Sequence, residues 1–179
     1  EGLPLIERAV AMFESMSDYE QDLCRALNTW ANILWRLGDL EQAEAIHRRT
    51  LAVRESFFGP DHESVSQSLH NIASLRLMDG DFVEAEKLYL RSLEIENKKD
   101  DPDDWGAATT LHTLAIVYEN LERYEEAEAY ELRSLDTRER VLGPDHPYVA
   151  LSLTTLGNIY RKTDRSAEAI PHLRRAVEV

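Results

Sequence analysis

His70 and His112 stand 42 residues apart at the same point of a recurring helical pattern. Neighbouring packed helices lie roughly 8–10 Å apart, so both imidazoles could reach one ligand. A bridging metal would need more donors than these two, and lining of a helix surface is the expected role. His62 and His146 follow Asp61 and Asp145 and lie two units of the pattern apart, which makes them helix-start residues rather than partners on one ion. Asp100, Asp101, Asp103 and Asp104 lack the glutamate that a calcium loop supplies near its twelfth position, and a solvated linker is expected there. Cys24 sits beside Leu23 and Leu27 with no histidine placed by sequence to activate it, so it reads as a small buried hydrophobe. Glycine-rich phosphate loops and His-Glu-x-x-His runs are absent, and the paired carboxylates have Lys or Arg neighbours, as on a solvated face. The chain is expected to be non-enzymatic, with no cofactor and no metal.

The elements that must carry these residues repeat. Gly59-Pro60-Asp61-His62 returns as Gly143-Pro144-Asp145-His146, with a degraded copy at Asp101-Pro102-Asp103-Asp104, and the interval is 42 residues each time. A period of this size means stacked units that cannot bury their apolar faces alone. In the first helix of each unit, apolar residues recur with helical spacing: Leu23, Leu27, Trp30, Ala31 and Leu34; Val65, Leu69, Ile72 and Ala73; Ala107, Leu111, Leu114, Ala115 and Tyr118; Val149, Leu153, Leu156, Gly157 and Tyr160. The small position Ala31, Ala73, Ala115, Gly157 lets a second helix approach closely. Breaks follow at Gly38-Asp39, Gly80-Asp81, Glu122-Arg123 and Asp164-Arg165, and Asp39 with Gln42 and Asp81 with Glu84 have the spacing of capping boxes. The second helices are pinned by Ala43, Ala85, Ala127 and Ala169, then Thr50, Ser92, Ser134 and Ala176, then Leu51, Leu93, Leu135 and Val177, all expected on the packing face.

In the linkers a helix-ending Gly, a Pro, and an Asp suited to capping the next helix follow one another. The middle linker, 97–105, lacks the Gly and carries extra charge, and is expected to be the most irregular junction. Pro4 to Val10 lines up with Pro171 to Val177, 167 positions later, so the chain is expected to open and close inside second helices. The expected division is 1–16 for the second helix of a preceding repeat, then repeats at 19–58, 61–100, 103–142 and 145–179 within a single array.

Composition narrows the partners. A formal net charge of −14 opposes nucleic acid and anionic membrane surfaces, because affinity for polyphosphates comes from Lys and Arg. No apolar run approaches the roughly 20 residues of a membrane-spanning helix. A single cysteine fits a reducing compartment, and a cytoplasmic location is expected. With 43% hydrophobic residues, 7 Gly and 6 Pro, the chain has the means to build a helical core.

The internal spacing identifies the unit more closely. From Leu69 to Ile72, Ala73, Ala85 and Ser92, positions match the tetratricopeptide pattern in order and distance, with the extra residues falling in the second helix and linker. With Gly-Pro-Asp-His at the junction and Glu84-Ala85-Glu86 and Glu126-Ala127-Glu128 in the second helices, the chain resembles the tetratricopeptide repeats of kinesin light chains. The resemblance implies an all-α fold, a right-handed superhelical solenoid of antiparallel helix pairs. Its first helices would line a concave groove that takes up a peptide or a partner's helix.

Carried over residue by residue, that geometry puts Arg25, Asn28, Asn32, Trp35 and Arg36 on the groove wall, followed by Gln67, His70, Ser74, Leu77 and Met78. Thr109, His112, Ile116, Glu119 and Asn120 come next, then Leu151, Thr154, Asn158, Arg161 and Lys162. Arg25, Arg36, Arg161 and Lys162 face Glu119 alone, in a chain otherwise strongly acidic, so an acidic peptide or free carboxylate is the expected partner. The family's clamp for chaperone C-termini is not expected: Asn28, Thr109 and Thr113 stand where its basic groups would be, although Asn32 and Asn71 match its asparagines. Trp35 is the residue expected to contact a ligand, whereas Trp30 belongs to the buried stripe. Two further readings are a spacer that self-associates through its open ends and a regulatory array within a larger multidomain protein.

Overall fold

Gly38, Gly80, Glu122 and Asp164 hold one position in successive units, and all four have positive φ, at 82°, 81°, 59° and 58°. Glycine reaches this left-handed region freely, whereas a side chain there costs about 1 kcal/mol. The turn is used to end a helix and reverse the chain. Asp39, Arg123 and Arg165 donate their backbone N–H groups to the carbonyls of Leu34, Tyr118 and Tyr160 at 3.0, 2.9 and 2.8 Å. Those bonds satisfy carbonyls that a helix end would otherwise leave open.

In a computed structural model, which describes residues 2–16, 18–99 and 105–179, these turns separate a succession of helices. In order they are α1 (Leu3–Glu14), α2 (Glu20–Arg36), α3 (Leu40–Phe58), α4 (Glu63–Asp79), α5 (Phe82–Asn97), α6 (Trp105–Asn120), α7 (Tyr124–Leu142), α8 (Pro147–Lys162) and α9 (Ser166–Glu178). Among the described residues the chain is therefore all-helical, with nine helices following one another along the sequence. Two units hold them, residues 1–79 with α1–α4 and residues 80–179 with α5–α9. The four-aspartate stretch and most of the middle linker, 100–104, lie outside the described residues.

Helix starts follow the sequence in part. Asp39 and Asp81 accept the N–H groups of Gln42 and Glu84, each at 3.2 Å. Gln42 then turns its own side-chain amide to the Asp39 carboxylate at 2.6 Å. At the linkers the histidines cap the following helix, as expected of helix-start residues. His62 Nδ1 accepts from the Ser64 N–H at 3.1 Å, and His146 Nδ1 accepts from the Tyr148 N–H at 3.2 Å. The imidazole stands immediately before the helix and reaches one of its free amides.

Each unit buries its own core. In the first, Val10, Ala26 and Leu27 gather with Phe13, Ile46 and Val53, and Leu34, Ala43 and Leu75 form a neighbouring cluster. In the second, Leu135, Val149, Leu153, Leu156, Tyr160 and Ala169 pack with Leu173 and Ala176. Full burial of a side chain such as Leu27 or Leu156 is worth about 1.5–3 kcal/mol. The small positions Ala31, Ala73 and Ala115 are fully buried, and a Cβ added to Gly157 would overlap Cγ and Cδ2 of Leu173. Val177 departs from the expected pattern, since it is 88% exposed on the outer side of α9.

The expectation that second-helix carboxylates are solvated holds only in part: Glu41, Glu94, Glu125, Asp136 and Glu168 are exposed, and others are not. Glu44 and Glu131 are buried, and Glu44 pairs with Arg76. Glu86 takes Arg123 at 2.7 Å, and Glu128 takes both Arg165 at 2.5 Å and the Tyr160 hydroxyl at 2.9 Å. The second glutamate of each Glu-Ala-Glu thus faces the next first helix or the turn after it. Buried arginines do related work further along. Arg54 donates to the Ser64 carbonyl and Ser68 Oγ at 2.7 and 2.9 Å, and Arg138 repeats this on Tyr148 and Ser152 at 3.1 and 2.8 Å.

Two substitutions check this account by chemical unfolding. Glu122→Gly relieves the left-handed turn and is expected to add ~0.5–1 kcal/mol. Gly157→Ala drives a methyl into Leu173 and is expected to remove ~1–3 kcal/mol.

Candidate functional site

Packing leaves part of the surface of the first helices open. In the first unit, Asn71 of α4 donates its side-chain amide to Asn28 Oδ1 of α2 at 3.2 Å, holding the two helices side by side. Beyond that bond, Asn32, Trp35, His70 and Ser74 converge on a cavity of about 300 Å³, together with His47, Asn71, Leu75 and Met78. Sequence reasoning placed Asn32, Trp35, His70, Ser74 and Met78 on one wall, and the structure brings these five together. Trp35 is 45% exposed, and with Arg36 it also lines two adjoining recesses, one with Thr29 and Asn32, the other with Leu40 and Met78. Arg25 and Gln67 are exposed outside this cavity.

His47 is the residue the sequence did not reveal. It lies on α3, a second helix, and is 4% exposed. Its Nδ1 has no hydrogen-bond partner among the described residues. Burial, and then the Arg54 guanidinium, hold its imidazole down at about 4, so it is neutral at neutral pH. Burial also lowers His70. The position gives no repeated signal, because its counterparts one, two and three periods on are Tyr89, Glu131 and Leu173.

In the second unit, α6 and α8 are joined by Lys162 and Glu119 at 2.9 Å. Arg161 donates to Asn158 Oδ1 at 3.2 Å, and Thr154 and Asn120 bond carbonyls one turn back in their own helices. Thr109 does the same toward Trp105. His112 is not a wall residue: it is 6% exposed, and its Nδ1 lies 2.8 Å from an oxygen of fully buried Glu131. Its helix face turns toward α7 and not outward, where a buried carboxylate requires a partner. Of the four cations expected on the wall, Arg25 lies 3.6 Å from Asp22 and Lys162 is taken up by Glu119. Arg36 and Arg161 enter no ion pair among the described residues.

Cys24 is buried beside Arg54, and desolvation pushes its thiol up, as for an inert core side chain. No cluster of three or more metal-ligating side chains occurs among the described residues, and no described helix is long and apolar enough to cross a membrane.

The depressed His47 value has a sign that can be checked. Between about 6.5 and about 4 the unfolded chain binds a proton that the folded chain does not, so stability falls as pH drops through that window and levels off below it. Replacing His47→Leu is expected to remove ~1–2 kcal/mol of that acid loss after allowance for solvent screening. The readout is unfolding of both chains near neutral pH and near pH 4.

Known proteins share this architecture. The chain is 39% identical over 75 residues to nephrocystin-3 of Mus musculus and 34% identical over 83 residues to nephrocystin-3 of Xenopus laevis. Those segments cover 37% and 41% of this chain and only 6% of each relative's length. By structure it is similar to BtubC (BKLC) from P. vanneervenii, with a TM-score of 0.81 at 22% identity over 98% of this chain and 71% of that one. A putative kinesin light chain with nearly identical TPR-like repeats from Podosopora anserina gives 0.81 at 20% identity, over 98% and 84%. At such identities the likeness is one of fold. The tetratricopeptide repeat family profile matches residues 22–98 and 106–179, and the chain belongs to the tetratricopeptide repeat family.

Proposed function

We propose that the chain is a non-enzymatic interaction module that takes an acidic peptide segment of a partner protein against its first helices. The supporting observation is that Arg36 and Arg161 enter no ion pair among the described residues, in a chain whose net charge is −14. Asparagines flank both: Asn32 beside Arg36 in the first unit, Asn158 bonded to Arg161 in the second. Carboxamides of this kind bond a ligand's backbone whatever its side chains, while the guanidiniums favour carboxylates. The reading fits the tetratricopeptide repeat family, whose arrays are typically protein-interaction modules.

A second reading rests on the outer faces of α1 and α9, where Leu5, Met12, Ile170 and Val177 are exposed, and where copies of the chain would stack on one another. Sedimentation velocity at rising concentration separates the two, since a chain that stays monomeric removes self-association.

The principal test is a titration with fluorescent Asp/Glu-rich peptides and Lys-rich controls of equal length. The acidic peptide is expected to bind and the basic one not to. Arg36→Glu with Arg161→Glu is expected to weaken binding about ten-fold or more, and added salt to weaken it further. Affinity indifferent to both changes overturns the proposal.

A further inference from the structure

We propose that the outward stripe of α8, with Trp105 of α6 beside it, holds an extended segment of a partner protein by two anchors: an acidic residue on Arg161 and a bulky apolar residue, about five residues away, on Leu151 and Tyr148. The inference rests on the acidic-peptide reading and adds to it a second anchor, its distance from the first, and the end of α8 where it sits.

Leu151, Thr154, Asn158 and Arg161 follow one another at intervals of three and four residues, so they share one face of α8. Leu153, Leu156 and Tyr160 turn the other way, into the core. Along the outward face the chemistry changes. At the N-terminal end Leu151 is 43% exposed, and Tyr148, one turn earlier, is exposed as well. The Tyr148 ring meets that of Trp105, also exposed, with centroids 4.9 Å apart. Thr154 and Asn158 in the middle carry no charge. At the C-terminal end Arg161 is exposed and enters no ion pair among the described residues, whereas the charge of Lys162 is answered by Glu119.

The fold does not ask for apolar residues here. Counterparts of Leu151 one, two and three periods back are Thr109, Gln67 and Arg25, and those of Tyr148 are Gly106, Ser64 and Asp22. Cover for buried Arg138, whose guanidinium carbon lies 5.9 Å from the Trp105 ring and 5.7 Å from that of Tyr148, explains the two rings in part and leaves Leu151 without a structural role. Charge sets the direction of the partner. Asp145, three residues before Tyr148, is exposed at the apolar end and repels a carboxylate there, while Arg161 attracts one at the other. Distance sets the spacing. Leu151 and Arg161 are ten residues apart, about 15 Å along the helix axis, which roughly four to five residues of extended chain cover.

The test uses the whole chain, isotopically labelled, in two-dimensional NMR titrations with Gly/Ser peptides that carry one Asp-Glu pair. One peptide has a Leu five residues from the pair, one has it next to the pair, and one has Ala in its place; each is made in both chain orders. The five-residue spacing, in one order or the other, is expected to bind about five- to ten-fold tighter than the Ala peptide, as for partial burial of one leucine, and to shift the amides of Leu151, Asn158 and Arg161. Leu next to the pair is expected to gain little. Leu151→Ser, at an exposed position, is expected to remove most of the gain, and Arg161→Glu to weaken every acidic peptide at α8. Acidic peptides that bind alike with Leu, with Ala and at either spacing leave the acidic-peptide reading standing and overturn the second anchor. No binding of any acidic peptide overturns both. Shifts of the same α8 amides on raising the chain's own concentration, without peptide, assign the face to a second copy and overturn the proposal.

Discussion

Close approach of two helices within each pair is the constraint on which the rest of the structure depends. Ala31 and Ala43 meet it in α2 and α3, Ala115 and Ala127 in α6 and α7, and Gly157 and Ala169 in α8 and α9, all of them buried. Once backbones are this near, larger side chains can only interdigitate above and below the small ones, which fixes Leu27, Leu34, Leu114 and Leu156 as core. The second helix is spent on this packing and on the helix that follows it. On the outward side of the first helices Trp35, Arg36 and Arg161 are exposed.

Polar groups in the buried layer follow from the same constraint. Arg54, Glu96 and Arg138 occupy one position in three successive repeats, and each reaches oxygens or hydroxyls of its neighbours. The arginines reach carbonyls and serines of the following helix, while Glu96 accepts from Ser92 and Thr110 at 3.2 and 3.3 Å. A guanidinium and a carboxylate can therefore exchange places along the array when their partners change with them. His47, Tyr89, Glu131 and Leu173 show the same tolerance at another position. Glu131 is answered by His112, and Leu173 fills the space over Gly157. His47 has no such answer at Nδ1.

Much of the fold was legible because steric requirements repeat. The 42-residue interval, the alanine positions and the reversals at Gly38, Glu122 and Asp164 are demands made in every unit, and they leave the same mark each time. Less of the site could be read. Asn32, Trp35, His70 and Ser74 were placed on one wall by carrying over the geometry of the repeats the sequence resembles, and they share a cavity. His47 was missed because its position holds a different residue type in every unit. His112 was put on the wall because it shares a register with His70, but a carboxylate on the neighbouring helix draws it inward.

The division of labour between helices is the central claim, and its most direct measurement is photo-crosslinking of the native chain with an acidic peptide carrying a benzophenone. Adducts mapped by mass spectrometry are predicted on α2, α4, α6 and α8, near Trp35, Arg36 and Arg161. Adducts confined to the outward faces of α3, α5 and α7 would contradict it.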